Sequence, residues 1–314
     1  MDLSCVENLA QKINLDLKTW GIQCGFIVAY HPLDYCKTLV QVGYEPFPPV
    51  ESWFFGSTYL GLPNMFQYLR YLKSVDGFSG CYRGLTARLC GSTVSACVYN
   101  TLSKKVSISE DHTTDSDVPS FLKKTAVEIV CVTGSTIVAH PFHVIAVRTM
   151  AQFVGRETIY QSLWGSICEI YGKEGIKGFF SGVIPRLVGD IIYISISATI
   201  VYIACRHFGK SKLTDQAGSM TGNMVASSFS YPFQVVSNTI IVNNSGLAVG
   251  CAPHTRPFYN WVDAYRSLKY EKQLKRGSSL VGRAYTGPTY LVNGRPRPYG
   301  FYFGPVHLPG ASYK

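Results

Sequence analysis

Two stretches of this chain are copies of each other. Gly84-Leu85-Thr86-Ala87-Arg88-Leu89-Cys90-Gly91 matches Gly182-Val183-Ile184-Pro185-Arg186-Leu187-Val188-Gly189, with Gly, Arg, Leu and Gly at the same offsets. Ahead of them stand Asp76-Gly77 with Tyr82-Arg83-Gly84, and Glu174-Gly175 with Phe180-Ser181-Gly182. Further upstream, His31-Pro32-Leu33-Asp34 matches His140-Pro141-Phe142-His143, and Tyr231-Pro232-Phe233-Gln234 opens a third copy. A chain built on such self-similarity folds as a series of like supersecondary units. No third acid-Gly…aromatic-x-Gly element is visible after Pro232, so the last unit reads as incomplete.

Composition says what the units are made for. Charged residues are 15% of the 314, against roughly 25% in a soluble domain, while aromatics reach 13% and mean hydropathy is only +0.10. Polar residues must therefore sit inside apolar segments. Five segments are long enough to span a bilayer, which takes about 20 residues each. They lie near 19–42, 85–103, 121–155, 183–205 and 215–244, and the odd ones carry Pro32, Pro141 and Pro232. From Gln216 to Thr255 there is no Asp, Glu, Lys or Arg. Between odd and even partners, apolar residues at spacings of three and four (Phe66, Leu69, Leu72; Leu163, Ile167, Ile170) predict short surface helices, and Tyr259 to Tyr270 predicts a third.

The organisation expected is a first repeat over 1–105, an acidic polar loop over 106–120, a second repeat over 121–210, an incomplete third over 211–272 and a basic Pro/Gly-rich tail over 273–314. No sixth span can be drawn in that tail, because proline and glycine at its density end any helix. From Trp261 onward nine basic residues face two acidic ones. Such a tail suits either anionic headgroups or plain solvation. No nucleic-acid reader motif accompanies the charge, so nucleic acid is not an expected partner. The ten cysteines form no CxxC pair and are expected to pack as free thiols. His140 and His143 are too few to hold a metal, and neither a nucleophile–base pairing nor a phosphate loop appears. No enzyme activity, metal or cofactor is expected.

Ionisable groups inside spans are costly, about +2.5–3.5 kcal/mol each at the centre, and normally face a cavity or a partner. The candidate lining residues are Lys37, Arg148 and Asp190, with the amides Asn223, Gln234 and Asn238. For each a structural alternative stays open. Asp34 and Lys37 are three apart on one helix and can pair, as can Arg186 and Asp190 one turn apart. Arg88 and Arg186 can snorkel to headgroups. The amides can act as interhelical glue.

Pro32-Leu33-Asp34-Tyr35-Cys36-Lys37 followed by Asp76-Gly77…Tyr82-Arg83-Gly84 resembles the mitochondrial carrier signature. The second copy has His143 and Ala146 at its charged positions but Arg148 in the following basic slot; the third has Gln234 and Ser237. Carriers use those positions as a charged ring that closes a gate, so the depleted ring argues against ordinary solute exchange, the runner-up reading. Gln41-Val42-Gly43-Tyr44-Glu45-Pro46, Gln152-Phe153-Val154-Gly155-Arg156-Glu157, Gly178-Phe179-Phe180-Ser181-Gly182 and Val242-Asn243-Asn244-Ser245-Gly246-Leu247-Ala248 are more specific still. They resemble the mitochondrial carrier homolog proteins of the outer membrane, over about residues 20–280. The resemblance implies an all-α, multi-pass outer-membrane fold of carrier-like repeats with kinked transmembrane helices, five spans instead of six, and a lateral groove open to lipid. It also implies insertion of tail-anchored and other α-helical clients, docking of a truncated pro-apoptotic factor, and lipid scrambling.

Overall fold

In a computed structural model the described residues are 17–54, 57–107, 118–209, 211–243, 245–252, 254–279, 282–285, 287, 289–292 and 295–298. The acidic residues Glu110, Asp111, Asp115 and Asp117 of the 106–120 loop lie outside them, as does most of the tail beyond Val292.

Five long helices carry the chain: α1 Leu17–Val42, α3 Leu85–Ser107, α4 Val118–Ala151, α7 Val183–Phe208 and α8 Lys212–Asn243. Between them run the short helices α2 Met65–Gly80, α5 Leu163–Glu174, α6 Ile176–Phe179 and α9 Trp261–Tyr270. The expected ends shift by a few residues; the third segment stops at Ala151 because 152–156 turn back. At about 1.5 Å per residue each long helix exceeds a ~30 Å hydrocarbon core. By length and hydropathy together, the stretches Val118–Ala151 and Ile176–Phe208 qualify as membrane spans. Strand hairpins were not expected in an all-α chain. Val50–Phe54 (β1) pairs antiparallel with Ser57–Gly61 (β2), and Thr289–Val292 (β3) with Arg295–Pro298 (β4).

The chain divides into two compact units that cut across the repeats. The first comprises residues 1–27, 89–142 and 183–234; the second comprises 28–88, 143–182 and 235–314. In α1, α4 and α8 the division falls within five residues of the helix proline.

The repeat is legible in the backbone. Three of the four short helices, α2, α5 and α9, begin on side-chain caps, Asn64, Ser162 and Asn260, whose oxygens accept the N–H of Gln67, Gly165 and Asp263. This supplies the otherwise unpaired donors of a first turn. An acid is followed by a residue of positive φ in each copy: Gly77 (φ 74°) after Asp76 within α2, Gly175 (φ 67°) after Glu174 at the end of α5, and Lys272 (φ 57°) after Glu271 just beyond α9. The third repeat therefore does keep its surface helix and acid pivot. The surface helix expected from 259 to 270 is present, and the acid-Gly signal is absent because Lys272 stands where glycine is cheap. Gly84 (φ 80°) and Gly182 (φ 75°) are glycines for a second reason. A Cβ on Gly84 would lie 3.0 Å from Ala146 O, and one on Gly182 would lie 2.6 Å from Ser237 O. Ala146 and Ser237 each stand five residues after the proline of the next repeat, so the same close approach recurs.

Candidate functional site

The second unit is where the motif charges go, and they pair with one another. Arg148, fully buried, makes a bidentate bond to Glu174 at 2.5 and 2.9 Å and donates from Nε to Ile241 O at 3.1 Å. Its assignment to an open lining is thereby corrected: the acid that sequence proximity does not reveal sits 26 residues on. Asp76 pairs with Arg83 at 3.1 Å and with Arg156. Asp34 bonds Arg88 at 2.8 Å, so Arg88 is engaged by a carboxylate 54 positions away. Lys37 is half-buried on α1 in this unit.

Neutral hydrogen bonds join the three odd helices. Asn238 Nδ2 donates to Gln41 Oε1 at 2.7 Å, and His143 Nε2 lies 3.1 Å from Asn238 Oδ1. Asn238 is thus interhelical glue. Over this junction lies the segment after α9. Arg276 donates from Nε to Gln41 O at 2.7 Å and from Nη2 to Thr239 Oγ1 at 2.9 Å. Ala284 forms an isolated antiparallel bridge with Gly61 of β2, through Leu62 N–H to Arg283 O and Tyr285 N–H to Leu60 O, both 2.8 Å. Arg283 also donates to Pro63 O at 2.8 Å and pairs with buried Glu45. Burial pushes the Glu45 carboxyl above the usual carboxylate range, against the opposing pull of Arg283. The start of the basic tail is therefore docked, which neither a solvated nor a headgroup-bound tail anticipates.

The first unit holds a polar cavity of about 640 Å³. Asp190 and Arg186 of α7 face it, 3.6 Å apart, close enough for Coulomb attraction but too far for a hydrogen bond. Thr136 Oγ1 of α4 donates to Asp190 Oδ2 at 3.0 Å. Gln23 of α1, with Ser92, Ser95, Tyr99 and Asn100 of α3, completes the polar wall. A smaller cavity of about 390 Å³, with Lys124, Glu128 and Asn223 in its wall, lies in the same unit. There Ser197 Oγ donates to Asn223 Oδ1 at 2.8 Å. Gln234 is half-buried on α8.

The six candidate residues thus do not form one lining. Asp190, Asn223 and Gln234 belong to the first unit, and Lys37, Arg148 and Asn238 to the second. Sequence reasoning missed the uncharged part of the cavity. Its signal was available: Ser92, Ser95 and Tyr99 recur at the spacing of one helix face.

A family model described as mitochondrial carrier protein matches residues 118–212, the second repeat with its Pro141, Glu174-Gly175 and Gly182. Mitochondrial carrier homolog 2 of Homo sapiens is 37% identical over 295 residues, covering 86% of this chain and 94% of that protein. Mitochondrial carrier homolog 1 of Mus musculus is 32% identical over 294 residues, 84% of this chain and 75% of that one. Nicotinamide adenine dinucleotide transporter 2, mitochondrial, of Arabidopsis thaliana is 24% identical over 229 residues, 69% of this chain and 60% of its own. With a repeat that recurs in sequence, backbone angles and helix contacts alike, and with a carrier homolog 37% identical and matched along 94% of its length, the chain belongs to the mitochondrial carrier homolog family, helical membrane proteins of the mitochondrion.

Proposed function

We propose that the protein is an insertase of the mitochondrial outer membrane, passing tail-anchored and other single α-helices from water into lipid. The five long helices are its spans, and the polar cavity of the first unit is the path, open sideways where a sixth helix would close it. The observation that carries this reading is the cavity itself. It sets an acid, a base and a row of hydroxyls and amides among helices whose other faces are apolar. A client's short polar end crossing lipid unaided loses its hydration, whereas a hydroxyl-lined groove supplies hydrogen bonds along the way. The apolar helix behind it needs no such help and enters lipid on its own. No covalent step is required. Lipid scrambling would use the same polar track for headgroups.

Solute exchange is the second reading, favoured by the size of the cavity and by the transporter among the relatives. It requires a gate in the second unit that opens in each cycle. The Gln41–Asn238–His143 junction, overlaid by Arg276, supports a permanent seal instead, since opening it would strand several buried polar groups at about 1–3 kcal/mol each.

Purified protein in liposomes is offered a tail-anchored client, and protease-protected client is measured per folded molecule. Protection above empty liposomes is expected. Asp190→Arg is expected to slow clients whose translocated end is positive and to speed those whose end is negative, without loss of folded protein. Equal protection with and without the protein overturns the reading. Counter-exchange of a labelled anion or nucleotide by the same liposomes would put solute transport in its place.

A further inference from the structure

The segment that follows α9 closes a pocket of about 230 Å³ in the second unit. Its inner wall is buried: Val40 near the end of α1, Glu45 just after it, and Gln273 and Arg283 of the segment itself. Its mouth is exposed, with Lys275, Ser278 and Ser279 around it. Gly277 (φ 75°) and Gly282 (φ 68°) turn the segment around the pocket with backbone angles that other residues rarely adopt. The space is far above the roughly 10–15 Å³ that one water needs, so it can hold a small organic molecule.

The two ends of this pocket call for opposite charges. At the inner end Glu45, 4% exposed, gives Oε1 to Arg283, while Oε2 is buried with no hydrogen-bond partner among the described residues. A carboxylate oxygen can only accept, and a buried acceptor left without a donor is costly. At the mouth Lys275 makes no ion pair among the described residues. Neither Gly277 N–H nor Ser279 N–H reaches a described acceptor, and the Ser278 and Ser279 hydroxyls stand beside them. An ammonium, hydroxyls and backbone N–H groups together are a donor set for an oxyanion. Across the whole wall the cations Lys275, Arg276 and Arg283 face one carboxylate, which favours an anionic group in the ligand.

We propose that this pocket binds a small aminoalkyl phosphate, its ammonium donating to Glu45 Oε2 and its phosphate accepting from Lys275, Ser278 and Ser279. The bound molecule joins the end of α1 to the segment that carries Arg276 and Arg283. It therefore fastens that segment over Gln41 and Thr239, where Arg276 already donates. The site shares no residue with the polar cavity of the first unit, and it stands independently of the insertion reading.

The test uses the full chain in detergent micelles with O-phosphoethanolamine as the probe, and inorganic phosphate and ethanolamine as its two halves. Binding is read by calorimetry and by tryptic cleavage after Arg276 and Arg283, which the closed segment holds in hydrogen bonds. The probe is expected to slow that cleavage severalfold, and either half at the same concentration to leave it unchanged. Lys275→Ala alters an exposed side chain. It is expected to melt with the parent and to bind the probe about tenfold more weakly, the loss of one charge-assisted hydrogen bond. It is chosen over Glu45→Gln, which would also strip Arg283 of its carboxylate. Glycerophosphoethanolamine, a soluble phosphodiester, separates two sources of the same chemistry. Protection equal to that of the probe assigns the site to a lipid headgroup, weaker protection to a free monoester, and both uphold it. No binding of the probe, inorganic phosphate binding as well as the probe, or undiminished binding by Lys275→Ala overturns the proposal.

Discussion

The two units solve opposite packing problems with the same helices. Every residue of the main hydrophobic core, from Tyr35 and Leu39 through Tyr68, Met150 and Phe153 to Val249, belongs to the second unit. There Tyr44, Tyr68, Tyr71 and Phe153 meet edge to face, and motif charges pair with one another. In the first unit the large apolar residues Ile22, Phe26, Leu122, Val130, Ile184 and Phe229 point outward, and the polar groups line cavities. The second unit is built as a protein in water is built, apolar inside. The first is built for lipid as solvent, where an outward Ile costs nothing and a polar group needs an interior partner. The second unit buries its apolar groups in one core, and the first leaves polar groups along cavity walls.

The sharpest way to break that contrast is to remove one buried charge from each half. Arg148→Met leaves Glu174 uncompensated beside Ile241 O, at a cost of about 3–5 kcal/mol. Folded yield in detergent is expected to collapse, and the double variant Arg148→Met, Glu174→Met to recover most of it. Asp190→Asn in the first unit keeps a partner for Thr136 and is expected to melt within a degree or two of the parent. Were Asp190→Asn as damaging as Arg148→Met, the first unit would be a structural core and the distinction would fail.

A middle-sized effect tests whether the third repeat still obeys the shape of the other two. Lys272 holds a left-handed backbone (φ 57°) where the other copies have glycine, and it is exposed. Relieving that conformation with Lys272→Gly is expected to stabilise the second unit by about 1 kcal/mol, read as a higher melting temperature. A lower melting temperature would mean that the lysine side chain, rather than the backbone, holds the pivot.

The smallest effect concerns Glu157, in the turn after α4. Its Oε1 accepts the Ala248 N–H at 2.7 Å, while Oε2 is buried without a partner. Burial raises this carboxyl above its ordinary 4.5, against the hydrogen bonds from the Ala248 and Glu157 N–H groups. A raised value in the folded state means that the protonated form is the one the fold prefers. The contribution to stability is complete below pH 4.5 and is lost as pH rises through the raised value. Glu157→Gln, which keeps the acceptor, is expected to melt higher than the parent at neutral pH, with the gap closing on acidification. A gap independent of pH would place the cause elsewhere.

Much of the architecture was legible in the residues. The prolines, the Gly-x-x-x-Arg-Leu copies and the acid-Gly pairs located all five long helices and two of the three pivots, because helix periodicity and left-handed glycines are local properties written within a few positions. The third pivot escaped for the same reason: with Lys272 in place of glycine, no local mark remained. What tertiary structure alone decided is which groups meet. Asp34 meets Arg88, Arg148 meets Glu174 and Ile241 O, and the tail closes over Gln41, because partners across 26 to 235 positions are set by how helices pack rather than by spacing along the chain. The same holds for exposure. Trp20, Ile129 and Met220 occupy one register in three copies, yet the first two are half-buried and the third is exposed, because burial depends on which helices pack beside a position and not on the position's place in the repeat.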